Sequence, residues 1–263
     1  MPRTVSLRLR NQAPAVSECG TIRLMAIADR DLPGLANRLA RVPLFKSVPA
    51  EVLTRVVTLA ESKQLDAGAF FFNEGDPAVE MFVLTSGRVK LTQLTPEGHQ
   101  IVLRIISAGD AFGGVGAFGE PLYPVSAEAI ETSAALGWTS QTMRTILEEH
   151  PAIALNALHF VAGRLHDLQR RYRQLMTERV EQRIARALLR LVREAGRRVE
   201  AGVEIDFPIS RQDLAEMTGT TLYTVSRLLS AWASRGIVHS ERQRIVLTKP
   251  HALVAIAEDL PER

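Results

Sequence analysis

Ser210–Leu229 reads SRQDLAEMTGTTLYTVSRLL, and the order of its polar, small and apolar residues decides the fold. Ser210 with Asp213 three residues on forms a capping-box pair, which opens a helix through Met217. Thr218-Gly219-Thr220 makes a sharp turn, and a second helix follows from about Thr221 to Ala233. Leu214, Val225 and Leu228 fall where the two helices meet. Ala215 is small at the closest approach, and Gly219 supplies the backbone freedom the turn needs. Gly236 then ends the second helix. Beyond it, Ile237–Ser240 and Arg244–Leu247 flank Glu241-Arg242-Gln243 as a hairpin. The spacing predicts a helix-turn-helix with a wing.

Such a unit presents the first turns of its second helix to the DNA major groove. Thr220, Thr221, Tyr223, Thr224, Ser226 and Arg227 occupy those turns. Arg227 is the sharpest base reader, since a guanidinium pairs bidentately with guanine O6 and N7. Ser226 reaches a base edge with a less specific hydroxyl, and Tyr223 either touches a thymine methyl or sugar or packs. Ser210, Arg211 and Arg242 fit phosphates, which set register rather than sequence.

Upstream, Pro151–Met176 carries Ala154, Leu158, Val161, Leu165, Leu168, Tyr172 and Leu175 at spacings of 4, 3, 4, 3, 4 and 3. That keeps one narrow apolar stripe on a helix for about three heptads, the pattern of a coiled-coil seam. Pro151 suits the first turn. The stripe would continue into Arg179 and Gln182, so the seam stops near Met176 and a dimer helix is expected. Thr177–Gly196 reads as a second amphipathic helix with Thr177 as its cap, which makes Thr177–Arg179 a hinge.

Further upstream the period changes. From Ser62 to Trp138, short apolar runs alternate with turn residues every eight to twelve positions, as in an all-β barrel or sandwich. Strands are expected at Lys63–Asp66, Ala69–Asn73, Met81–Ser86, Arg88–Leu94, Gln100–Ile106, Ser126–Ile130 and Ala134–Trp138. Asp31–Arg41 and Pro49–Ala60 read as helices, as does Thr139–His150 with Ser140 at its cap. Residues 1–29 read as a poorly ordered arm in which Thr21–Ala28 forms a short helical turn. The chain thus divides into an arm (1–29), a sensor (30–150), a dimerisation helix (151–176) and a DNA-binding unit (177–263).

Charge follows the same division. Residues 1–150 hold 14 basic and 16 acidic side chains, and residues 151–263 hold 18 and 13. A basic half joined to a mildly acidic one fits a nucleic-acid binder joined to a sensor. No apolar run approaches a membrane span, and no leader pattern opens the chain, so a cytoplasmic protein is expected. Neither a nucleophile–base pair nor metal-ligand spacing points to an enzyme or a metal site.

The motifs LFKSVPAEVLTRVV, FNEGDPAVEMFVLTSGRVKL and ISAGDAFG, followed by Ser210–Val238, resemble the Crp/Fnr family over about Leu39–Pro250. The resemblance implies an α+β chain. It comprises an N-terminal antiparallel β-roll (a double-stranded β-helix), a long dimerisation helix and a C-terminal winged helix-turn-helix. It also implies that Ser226 and Arg227 read bases, that a homodimer binds a near-palindromic duplex, and that RNA polymerase is a partner. In the family's best-known members a glutamate stands where this chain has Tyr223, so their half-site does not carry over.

Cyclic-nucleotide binders of the family hold the ribose with a glutamate and the phosphate with an arginine. In FGGVGAFGEPLYPVSAEA, Gly114 stands at the glutamate position, Tyr123 at or beside the arginine, and Pro124 at the following Ser/Thr. Cyclic AMP is therefore disfavoured, with a cyclic-AMP-responsive module as the alternative reading. The effector pocket is expected around Phe112, Gly113, Gly114, Tyr123 and Pro124. Cys19 alone cannot hold an iron–sulfur cluster. Haem stays open, with His99, His159 and His166 as the histidines to place.

Overall fold

A computed structural model describes Ile22–Met25 and residues 32–260. The arm expected at residues 1–29 lies outside the described residues except for β1 (Ile22–Met25), which is a strand rather than a helical turn. It pairs antiparallel with β2 (Glu61–Leu65), Ile22 opposite Leu65. Between them, α1 (Leu32–Leu39) and α2 (Ala50–Thr58) flank a tight turn that buries Leu44 and Phe45.

Six of the next seven strands follow the expected runs: β3 (Phe70–Phe72), β4 (Glu80–Ser86), β5 (Arg88–Leu94), β6 (Gln100–Ser107), β8 (Ser126–Ala129) and β9 (Ser133–Thr139). The seventh, β7 (Ala111–Phe112), is too short to show a period. Two antiparallel sheets result, in the orders β1-β2-β9-β4-β7 and β3-β8-β5-β6. Phe72, Phe82, Phe112 and Tyr123 fill the space between them. Each such side chain contributes about 1.5–3 kcal/mol through its burial. A tight turn, Gly114–Phe118, follows β7. A Cβ on Gly116 would lie 1.8 Å from the Ala78 carbonyl oxygen, so only glycine fits that approach.

Tyr123 belongs to this filling. Its ring stacks on Phe72 at 3.8 Å, and its hydroxyl accepts from the Glu80 amide at 3.0 Å and donates to the Glu80 carbonyl at 2.7 Å. Burial pushes its phenol above the ordinary range.

α3 (Ser140–Glu149) is capped by Thr139, whose hydroxyl accepts from the Thr142 amide at 3.0 Å, and not by Ser140. The Ser140 hydroxyl instead donates to the Ala78 carbonyl at 2.8 Å. α4 runs from Pro151 to Thr177 and buries Ile153 and Ala157 against the roll. α5 (Val180–Ala195) is capped at Arg179, whose amide donates to Gln182 Oε1 at 2.9 Å. Thr177 therefore does not cap α5: it is the last residue of α4 and donates back to the Arg173 carbonyl. The break in the helix is Glu178–Arg179.

Beyond α5 come β10 (Gly196–Val199), β11 (Gly202–Ile205), α6 (Arg211–Thr218), α7 (Leu222–Ser234), β12 (Val238–Glu241), β13 (Arg244–Leu247) and α8 (Pro250–Glu258). The strands form one sheet in the order β10-β11-β13-β12. Val102 and Ile105 of β6 join the same apolar cluster as Phe207, Leu214 and Leu229, so the roll packs directly on the helix-turn-helix.

Candidate nucleic-acid interface and effector cavity

The capping box at Ser210 forms as the sequence predicts. Ser210 Oγ accepts from the Asp213 amide at 3.0 Å, and Asp213 Oδ2 accepts from the Ser210 amide at 2.9 Å. Leu214 and Ala215 are buried beneath α7, with Val225 opposite and Leu228 packed at the edge. Gly219 takes φ +62°, the left-handed turn that lets α7 leave α6 at a steep angle. Thr221 caps α7 through the Thr224 amide at 3.2 Å, which commits Thr221 and Thr224 to the helix start.

This frame leaves the reading face free. Tyr223 is 76% exposed and makes no ring contact among the described residues, so it projects outward rather than packing. Thr221 and Arg227 are exposed; Thr220, Thr224 and Ser226 are half-buried. Beside the start of α7, a notch of about 460 Å³ gathers Ser210, Arg211 and Arg242, with Gln212, Leu222, Ser240, Glu241 and Gln243 completing it. Ser240 was not foreseen. Its hydroxyl is buried without a hydrogen-bond partner among the described residues. The wing's other arginine, Arg244, is engaged by Glu204 at 2.6 Å, which holds that carboxyl below the usual range; Arg197 grips the same group at 3.1 Å.

Arg183 is a second residue that the spacing does not reveal. From α5 it donates to the Thr218 carbonyl at 3.1 Å, to the Glu178 carbonyl at 3.0 Å and to the Gly219 carbonyl at 3.5 Å. One guanidinium thus ties the break after α4 to the turn of the DNA reader. Leu175 of α4 reaches the same turn, 3.4 Å from where a Cβ on Gly219 would lie.

At the other end of α4, a cavity of about 290 Å³ opens between the helix and the roll. Phe112, Gly113 and Gly114 border it, joined by Ala157, Phe160, Val161 and Arg164 of α4 and by Arg104 of β6. Tyr123 and Pro124 do not border it, which corrects the expected pocket. Tyr123 is locked into the ring stack, and Pro124 is exposed with its carbonyl accepting from Gln93. The walls offer the thioethers of Met81 and Met143 but no imidazole or thiolate. His99, His159 and His166 are exposed and lie outside the lining. Haem therefore lacks its usual proximal ligand here.

The outward face of α4 is apolar. Leu158, Val161, Leu165, Leu168, Tyr172 and Leu175 are each more than half exposed, and Ala154 is half-buried. No helix among the described residues is long and apolar enough to cross a membrane.

Comparison with known proteins agrees with this architecture. Residues 62–150 match the model of a cyclic nucleotide-binding domain, and residues 182–256 that of a Crp-like helix-turn-helix domain. A CRP-like cAMP-activated global transcriptional regulator of Mycobacterium tuberculosis is 24% identical over 215 residues, covering 82% of this chain and 96% of that protein. The cyclic AMP receptor protein of Thermus thermophilus is 28% identical over 196 residues, 74% of this chain and 88% of its own. The crystal structure of another Thermus thermophilus CRP-family transcriptional regulator superposes with a TM-score of 0.64 at 25% identity, over 76% of this chain and 98% of that one. With a roll, a long helix and a winged helix-turn-helix in this order, the chain belongs to the Crp/Fnr family of DNA-binding transcription regulators.

Proposed function

We propose that the protein is a homodimeric, sequence-specific regulator in which α4 carries an effector signal from the roll to the DNA. The observation that carries this reading is that one helix serves both ends. Ala157, Phe160, Val161 and Arg164 wall the cavity, and Leu175, four turns on, touches the turn of the reader. Val161 stands on the cavity wall and in the exposed apolar row alike. A ligand that moves it alters the pairing of two copies, a hinge or shear device of the kind that re-spaces paired subunits.

In the dimer, the row from Ala154 to Leu175 forms the seam. Arg227 and Ser226 read base edges, Tyr223, Thr220, Thr221 and Thr224 approach the groove, and Ser210, Arg211, Ser240 and Arg242 hold phosphates. The four-part division of the chain assigns each unit one task. RNA polymerase is the partner expected beside the bound operator, in the cytoplasm where the chromosome lies. The Mycobacterium tuberculosis regulator and the Thermus thermophilus receptor are named for cyclic AMP, but this chain puts Gly114 and a sequestered Tyr123 where the nucleotide's contacts would stand, so a different effector is inferred.

Filling the cavity tests the coupling. Ala157→Phe places a ring against Leu147 and Phe160 without touching the reader. Operator affinity should move at least fivefold while the circular dichroism spectrum is kept. A folded variant with unchanged operator affinity would refute the coupling.

A further inference from the structure

We infer that the cavity takes a small apolar monocarboxylic acid, its carboxylate received by Arg164 with Arg104 beside it. This rests on the effector reading above and names the class of ligand. The walls decide the body of the molecule. Apart from the two arginines, every lining residue is apolar or glycine. A ribose or other polyol would strand its hydroxyls against such walls, at a cost of about 1–3 kcal/mol each. The volume, about 290 Å³, lies just below the roughly 300–1,000 Å³ typical of small-molecule sites, so the ligand is small.

The arginines decide the head. Arg164 is partly buried, with its guanidinium 4.5 Å from the Phe160 ring centroid. It donates no hydrogen bond among the described residues: its nearest carboxylate oxygens are Asp110 Oδ1 at 3.7 Å and Asp167 Oδ2 at 3.8 Å. Both acids are better served elsewhere, Asp110 by Arg104 at 2.8 Å and Asp167 by Arg170 at 2.7 Å. Arg164 is thus left with donors open toward an added carboxylate, since Asp110, Asp167 and Glu194 act on it only at longer range. Burial, and then Arg104, makes the Arg164 guanidinium less basic than usual, so an arriving anion relieves an existing cost. Planar bidentate pairing suits a carboxylate in that place.

The geometry also links the head to the output. Asp110 anchors the turn before β7 by accepting from the Ser107 amide at 3.1 Å, and Arg164 projects from α4. A carboxylate that takes Arg164 loosens its long-range hold on Asp110 and so changes the tie between roll and helix.

The test titrates the full chain by calorimetry with octanoate and phenylacetate against their neutral counterparts, 1-octanol and 2-phenylethanol. At least one acid should bind tenfold or more tightly than its alcohol. Arg164→Gln should erase that preference, and Arg164→Lys should restore part of it. Ala157→Phe should block acid and alcohol alike. Equal affinity for acid and alcohol, no binding of either acid, or a preference surviving both Arg164→Gln and Arg104→Gln would overturn the assignment. The two readings fail separately. An alcohol that binds and shifts operator affinity keeps the effector cavity while removing the acid, whereas an Ala157→Phe chain with wild-type operator affinity removes the effector cavity itself.

Discussion

Arg227 and Arg242 are both exposed arginines on the DNA-facing side, yet they sit on different scaffolds and should fail differently. Arg227 lies in the second turn of α7, the helix proposed to enter the groove; Arg242 lies at the tip of the wing, beside the notch. Arg227→Ala should cost about 1–3 kcal/mol at one base pair of each half-site and relax the sequence preference there. Arg242→Ala should weaken all sequences alike and lower the salt dependence by about one unit of slope. Binding isotherms on matched and single-mismatch duplexes at several salt concentrations separate the two. A lost preference in Arg242→Ala with an intact one in Arg227→Ala would reverse the assignment. The capping box was legible at this scale because its partners are three residues apart. Tyr123 was not. Its family-aligned position gives no sign of which way the ring points, and the Phe72 stack that captures it comes from a strand about fifty residues earlier.

Helix α4 is the element on which the account turns, and its period was readable because a heptad stripe survives any tertiary context. Leu165 lies mid-row and 55% exposed, so replacing it harms little within one chain. Leu165→Glu should give folded monomers by sedimentation, with operator affinity reduced at least a hundredfold. A folded Leu165→Glu dimer would contradict the seam. Elements that the sequence hid share a physical cause. β7 has two residues, fewer than one period of alternation. The β10–β11 hairpin displays Arg197 and Arg198 where a strand would ordinarily carry apolar residues, and is held by Glu204 and Asp206 instead. α8 packs Leu253 and Ala257 into the reader's core, but its few turns follow Pro250 with no polar cap to announce them.

Across the whole molecule, the roll and the reader meet at more than the helix between them. Lys90 of β5 lies 3.1 Å from Glu128 and 3.8 Å from Asp213, the residue that closes the capping box of α6. Gln100 of β6 donates to Glu216 of α6 at 3.3 Å. Arg171 of α4 donates to the Leu103 carbonyl, and Arg190 of α5 stands near it with its guanidinium lowered to about 10 by burial first and Arg171 next. These contacts tie the strands directly to α4 and to the helix-turn-helix, beside the route through α4 proposed above. The central claim is that two such bodies read DNA as a symmetric pair. Selecting bound duplexes from a random pool with the purified full-length chain tests it most directly. The account predicts enrichment of an inverted repeat whose half-site centres lie about one helical turn apart, roughly 34–36 Å. Enrichment of a single unpaired half-site, or of no sequence at all, would contradict it.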